Sequence, residues 1–275
     1  MRFVKMEGLA NDFIMVRPED DEIRKRILEQ AASICDRRRG IGADGIIFIE
    51  HSDRVDFRMR IINSDGSEAE MCGNGIRCFS LYIHVYGLSS KHTLAIETGA
   101  GIIHTQKLED GYKVSMGPPV LKAADIPTTH SDERVIQFPL EVEGQRYPIT
   151  SVGMGNPHAV MFSDELSDEL VLGIGPKIEA HPFFPNKTNV EFVRVDNSSE
   201  ITMRVFERGC GETMACGTGA CAAVVAGILN KKHNNRVLAH LTGGDLEIEW
   251  DGDPQHPVFM TGPAREVFEG TYLLQ

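Results

Sequence analysis

The sequence lacks several features that would assign it quickly. No run of residues approaches the roughly 20 apolar positions that a membrane-spanning helix needs. Residues Met1 to Met15 enter a strand-like pattern in place of the charged-then-apolar order of a secretory signal. A cytoplasmic protein with no membrane partner is therefore expected. Basic residues cluster only at Arg37, Arg38 and Arg39, and the formal net charge is -12, which excludes a nucleic-acid groove with its basic face. Any anionic substrate must be held by local donors. Cys-x-x-Cys pairs are also missing, so the six cysteines do not read as a zinc site. In a cytoplasmic chain they are expected as reduced thiols, and the even count is no evidence for a disulfide framework. No phosphate-binding loop of the Lys-Ser/Thr type and no pyridoxal-binding signature occurs. Gly40-Ile41-Gly42-Ala43-Asp44-Gly45 has the spacing of a dinucleotide fingerprint, but it follows a helix and precedes a strand, the reverse of the order that motif requires. No cofactor and no metal are expected.

What is present is a duplication. Residues 59–75 read MRIINSDGSEAEMCGNG and residues 203–219 read MRVFERGCGETMACGTG; they align without a gap and agree at 6 of 17 positions, Cys72 with Cys216 among them. The offset of 144 recurs where Thr98-Gly99 matches Thr242-Gly243 and Met116 matches Met260. Upstream, Gly8-Leu9-Ala10-Asn11 sits one further residue away from Gly153-Met154-Gly155-Asn156. A register held over separated segments implies two similar domains, residues 1–117 and 118–262, with Pro118-Pro119 and Pro263 at the junctions. The tail 263–275 is assigned to the first domain, although the repeat alone does not choose.

With 275 residues and 41% hydrophobic content the chain can bury a full core. Ile23, Ile27, Leu28, Ala31 and Ile34 recur at helical spacing, predicting one amphipathic helix over 20–37. Short β-rich runs surround it: 2–6, 13–16, 45–49, 56–62, 93–98, 102–108 and 112–116. Helices are predicted after each repeated cysteine, over 76–86, ending at Gly87, and over 220–229, which is apolar on most sides. Each domain is then a β-rich sheet around a central helix, a mixed α/β (α+β) class.

Each copy presents Cys-Gly-x-Gly at the start of its helix. Glycines allow close backbone approach, and the first helical turn offers unpaired N–H groups that suit a carboxylate. The same dipole is expected to lower the thiol pKa and to poise both Cys72 and Cys216 as acid or base. One such cysteine would read as packing; two related by duplication can face each other across the cleft between domains. That is what inverting a tetrahedral carbon requires, since one group removes a proton from one face and the other returns one to the opposite face. The carbanion must be stabilised, and the N–H groups of Gly73, Asn74, Gly217 and Thr218 are the candidates, at about 3 kcal/mol per well-placed donor.

Gly8-Leu9-Ala10-Asn11-Asp12-Phe13, Asn63-Ser64-Asp65-Gly66-Ser67-Glu68, Cys72-Gly73-Asn74-Gly75-Ile76-Arg77-Cys78, Gly155-Asn156-Pro157-His158, Glu207-Arg208-Gly209 and Ala215-Cys216-Gly217-Thr218-Gly219-Ala220-Cys221 together resemble diaminopimelate epimerase over essentially the whole chain. The resemblance implies two pseudo-twofold-related domains, each a barrel-like β-sheet around a central helix. It also implies cofactor-free interconversion of L,L- and meso-diaminopimelate, a step towards lysine and cell-wall peptide, and a homodimer. It makes Cys72 and Cys216 the acid/base pair, and assigns substrate contacts to Asn11, Asn63, Gly73, Asn74, Asn156, Asn189, Glu207, Arg208, Gly217 and Thr218. Arg208 suits a distal carboxylate, and the asparagines suit a ligand with ammonium and carboxylate at both ends. Asn11, Asn63 and Asn156 taken singly would read equally as loop caps. His158 and Glu207 resemble auxiliary groups near the thiols; Glu207 would orient His158 or set its charge, and a purely structural His-Glu bond is the even alternative. Two departures stand out: many relatives carry Gly where this chain has Ala10, and a substrate-contacting Gln where it has Gly45. Rival readings are a cysteine-pair racemase of proline, hydroxyproline or histidine, and a thiol switch or amino-acid binder without catalysis.

Overall fold

The computed structural model describes residues 1–275. The chain divides into two compact units, Met1–Val114 with Gly262–Gln275, and Ser115–Thr261. No helix is long and apolar enough to cross a membrane.

The first unit contains β1 (Arg2–Gly8), β2 (Asn11–Val16), α1 (Asp21–Glu29), α2 (Ala31–Cys35), β3 (Gly45–Glu50), β4 (Phe57–Asn63), β5 (Glu68–Ala69), α3 (Gly73–Val85), β6 (Thr93–Thr98), β7 (Gly101–Leu108) and β8 (Gly111–Ser115). The second contains β9 (Phe138–Val142), β10 (Gln145–Gly153), β11 (Pro157–Phe162), a π-helical turn at Glu169–Ile174, α4 (Gly175–Glu179), β12 (Asn189–Asn197), β13 (Glu200–Glu207), β14 (Gly211–Thr213), α5 (Gly217–Leu229), β15 (Arg236–Leu241), β16 (Gly244–Glu249) and β17 (Phe259–Gly262). The last strand, β18 (Arg265–Thr271), belongs to the first unit, where it pairs antiparallel with β1.

The two units share one strand order. In the first, β1 pairs antiparallel with β2, β2 parallel with β3, β3 antiparallel with β4, and β4 parallel with β6, which continues antiparallel to β7 and β8. In the second, β10, β11, β12, β13, β15, β16 and β17 follow with the same senses. The strand beside β10 is β9, which precedes it in sequence, whereas the strand beside β1 is β18, from the far end of the chain. Each sheet curls around its helix: α3 packs on β1, β2, β3, β7 and β18, and α5 on β10, β11, β12 and β16. The class is mixed α/β, mostly sheet.

Composition explains the helices. α5 reads GTGACAAVVAGIL and is buried from Gly219 to Gly227, as a helix apolar on every side must be. Both central helices start three residues earlier than the apolar spacing predicts, at Gly73 and Gly217, because in each the cysteine before them is the N-cap: its sulfur accepts the N–H of Gly75 or Gly219. The single helix predicted over 20–37 is two, broken at Gln30, whose side chain bonds the backbone of Gln275 at both N and O. Ile27, Ala31 and Ile34 still face one core, which Tyr272 and Leu274 of the tail help to cover.

Candidate active site

In the first unit the cap places Cys72 Sγ 3.4 Å from the Gly75 nitrogen and 3.5 Å from Asn11 Oδ1. Asn11 is held from behind: its Nδ2 donates to Asp44 at 2.7 Å, and Asp44 accepts from Arg37 at 2.7 Å. Asn74 donates to Asn11 Oδ1 at 3.4 Å and accepts from the buried Arg77 guanidinium at 2.9 Å. Arg77 also donates to the Gly73 carbonyl at 3.2 Å, so it ties down the first turn of α3. Cys72, Asn11, Gly73 and Asn74 therefore form one connected group. Asn63 stands apart at the end of β4, donating to Ser67 Oγ at 3.0 Å inside its own turn. At Gly45, which pairs with Asn63 across β3 and β4, an added Cβ would meet the Ile62 carbonyl at 2.7 Å. No side chain fits there as the strands stand.

In the second unit Cys216 Sγ lies 3.4 Å from both the Gly219 nitrogen and Thr218 Oγ1. Asn156 Oδ1 lies 2.8 Å from His158 Nε2. Asn189 is committed at both ends, donating to the Pro157 carbonyl at 3.0 Å and accepting the Arg208 backbone N–H at 2.9 Å. That second bond fixes the turn carrying Arg208, whose exposed guanidinium makes one 3.4 Å bond to the Asn186 carbonyl. Glu207, at the end of β13, accepts the Thr213 hydroxyl.

Two expectations are corrected. His158 Nδ1 is bonded at 2.7 Å to Glu191 and not to Glu207, and both side chains of that pair are wholly buried. β11 and β12 run parallel, with Ala159 opposite Val190, which carries the neighbouring Glu191 towards the imidazole. The signal was available in the sequence, a lone carboxylate in the apolar run Val190-Glu191-Phe192-Val193. The second correction concerns the thiol. Burial pushes Cys216 well above the ordinary thiol value, and the Glu207 and Glu191 carboxylates push the same way; the Thr218 hydroxyl and the Gly219 N–H oppose them without prevailing. At this helix start the net direction is upward, against the lowering expected for Cys216. Two other buried thiols are set aside by their surroundings: burial raises Cys35 to about 11 and Cys78 to about 12. No three His, Cys, Asp or Glu side chains group as ligands for a metal ion.

The fold and these paired cysteine caps define a class of duplicated proteins in which each half offers a thiol at a helix start. Among solved structures, a Bacillus anthracis phenazine biosynthesis protein of the PhzF family is similar over 99% of each chain with a TM-score of 0.68 at 19% identity. A hydroxyproline epimerase from Agrobacterium vitis is similar over 98% of this chain and 91% of its own, with a TM-score of 0.69 at 13% identity. These likenesses show the fold alone. The family model described as diaminopimelate epimerase matches residues 3–122 and 150–267. Diaminopimelate epimerase of Moorella thermoacetica is 48% identical over 279 residues, covering 100% of both chains. The chloroplastic diaminopimelate epimerase of Oryza sativa subsp. japonica is 49% identical over 283 residues, 98% of this chain and 80% of its own. The chain belongs to the diaminopimelate epimerase family.

Proposed function

We propose that this chain interconverts L,L- and meso-diaminopimelate by moving one proton between the two faces of an α-carbon, with Cys72 and Cys216 as the proton carriers. The observation that supports this most is the cysteine N-cap repeated in both units of a chain from this family. In each direction one sulfur, as thiolate, takes the α-proton while the C–H electron pair passes into the α-carboxylate; the other, as thiol, returns a proton to the opposite face. The two sulfurs exchange roles at each turnover.

The first two N–H groups of each helix, Gly73 and Asn74 in α3, Gly217 and Thr218 in α5, have no partner within the helix and are offered to the substrate carboxylate, where negative charge grows. Asn11 and Asn74 are held by Asp44 and Arg77 as fixed polar contacts, and Asn156 is held by His158. Arg208 and Asn63 are assigned to the distal end of the substrate, with Arg208 binding its carboxylate. Asn189 acts by fixing Arg208. Glu207 and His158 are assigned to the control of proton traffic at Cys216. The reaction belongs to lysine and peptidoglycan-precursor synthesis in the cytoplasm and uses no cofactor. A homodimer is proposed as well, since Val267 and Phe268 of β18 are about half exposed, at 54% and 47%, and a second copy would cover them.

The test is incubation of the reduced protein with L,L-diaminopimelate in D2O, with proline and histidine in parallel, following α-deuteration and stereochemistry. Exchange with formation of the meso form, abolished in Cys72→Ala and in Cys216→Ala, is the expected result. Exchange only with another amino acid would retain the thiol chemistry and replace the substrate; no exchange with any would leave a binder or a thiol switch.

A further inference from the structure

The two halves differ in what lies beneath the thiol. A Cβ built on Gly75 would meet Ile47 Cδ1 at 2.9 Å and Phe13 Cζ at 3.5 Å; a Cβ built on Gly219 would meet Glu191 Oε1 at 2.8 Å. Ile47 and Glu191 are separated by the same 144 residues as the two cysteines, and Phe13 and His158 by the 145 that relate the turns before them. Under the first turn of α3 the fold thus holds a Phe–Ile pair, and in the matching place under α5 a His–Glu pair. Burying two ionisable groups carries a desolvation penalty that an apolar pair avoids. The first unit shows that the architecture does not need them. Moreover Glu191 Oε2 is buried with no hydrogen-bond partner, and burial pushes the Glu191 carboxyl up even though His158 opposes it.

Hydrogen-bond arithmetic gives the pair a direction. Nε2 of His158 faces the Asn156 amide oxygen, an acceptor, so Nε2 carries a hydrogen, and a further proton is shared between Nδ1 and Glu191 across their 2.7 Å bond. The Asn156 oxygen being occupied, its NH2 is presented outward as a donor. Other groups facing Cys216 are few. β13 brings Glu207, and α5 itself brings the Thr218 hydroxyl and the Gly219 N–H. Further along α5, β10 and β16 bring buried Thr150, Ser151, Leu246 and Ile248, with Thr150 bonded to Asn230 at the far end of the helix, while Asp245, Glu247 and Glu249 alternate to the other face and pair with His240 and Arg236.

We propose that Glu191 is a positioning residue of the Cys216 half: set beneath the first turn of α5, it keeps the proton on Cys216 between turnovers and, through His158, holds Asn156 as a donor. This rests on reading Cys216 as a proton carrier. The two thiols are then unequal at rest by construction, the asymmetry being written into positions 47/191 and 13/158 of a duplicated scaffold.

The test reads the thiols directly, so that it fails independently of turnover. The intact reduced protein is alkylated with iodoacetamide over a range of pH, and modification at each cysteine is followed by mass spectrometry. Two variants remove the carboxylate: Glu191→Gln keeps its shape, and the double variant His158→Phe/Glu191→Ile copies the pair of the first unit. In each, the pH midpoint for Cys216 is expected to fall by at least half a unit, roughly a threefold faster reaction on the rising limb. The Cys72 profile in the same molecules is expected to stay fixed, which also reports that the fold is retained. A Cys216 midpoint that stays or rises, in whichever variant keeps the Cys72 profile, overturns the proposal. Deuteration of diaminopimelate by the unaltered protein, measured on the same preparation, tests the parent reading separately.

Discussion

Arg77 ties together the candidate site of the first unit without itself being placed against substrate. It is wholly buried and gives its N–H groups to the carbonyls of Gly73 and Pro263 and to the Asn74 amide oxygen. Arg77→Met fills much of the same space and leaves three acceptors short of a donor, at about 1–3 kcal/mol for each that stays dry. We expect a loss of about 3–5 kcal/mol in unfolding free energy, read from the urea midpoint, and a raised KM in the surviving folded fraction because Asn74 is no longer aimed. An unchanged midpoint would mean that water replaces the guanidinium. At this scale the sequence was legible where chemistry and duplication coincide: the two cysteines and their glycines were read from pattern, and Asn11, Asn74, Asn156 and Arg208 from resemblance. Glu191 and Asp44 were missed because neither sits in a repeated motif. Their partners come from other strands, and only the parallel pairing of β11 with β12, and of β2 with β3, brings them together.

Elements set the aim of these residues through turns and charged ties. The turn from β1 into β2 carries positive φ at Leu9 and Ala10, 56° and 62°, immediately before Asn11; the matching turn before Asn156 has Gly155 at φ 85°. An L-residue there costs about 1–2 kcal/mol, against about 0.5–1 kcal/mol for the extra freedom glycine loses on folding. Ala10→Gly is therefore expected to stabilise the first unit by about 0.5–1 kcal/mol in chemical denaturation, and a loss of stability would show that the turn is not strained. The same strands are tied by Asp12 of β2, bonded to Arg37 at 2.7 and 3.0 Å and to Lys5 of β1 at 2.7 Å. Burial alone would raise the Asp12 carboxyl, but Arg37 and Lys5 outweigh it and hold it at about 2, below the ordinary 3.8. A carboxyl depressed in the folded state stabilises at any pH above its unfolded value and loses that contribution as pH falls through the folded one. Melting temperature should accordingly fall between about pH 4 and pH 2 through this group, and Asp12→Asn should flatten that limb while lowering stability at neutral pH. Periodicity located β1 to β4, β6 to β8 and the buried face of α1 and α2, but not the helix starts, and it was not carried to strand ranges in the second unit. A cysteine cap and a break at Gln30 depend on single hydrogen bonds, to Gly75, Gly219 and Gln275, that carry no periodic signal.

The whole molecule is one topology used twice, with a difference at the edge. Beside β10 lies β9, reached by a short hairpin; beside β1 lies β18, which arrives after the entire second unit has been made. The first unit is therefore completed only by the C-terminal eleven residues. Thr271 faces Arg2 and Glu269 faces Val4, Phe268 meets the Phe3 ring edge-on at 5.8 Å, and the Met1 amino group bonds the Tyr272 carbonyl at 2.7 Å. Tyr272 and Leu274 cover the core around Phe3, Ile27 and Ile34. Deleting residues 265–275 removes a full strand ladder and part of that cover, while every strand of the second unit keeps its neighbours. Local stability follows such cooperative units, and amide exchange reports it unit by unit. In the truncated protein the amides of β1, β2 and α3 are expected to lose at least tenfold of their protection, whereas those of β11, β12 and α5 hold theirs. An equal loss across both sets would mean that the two units unfold as one.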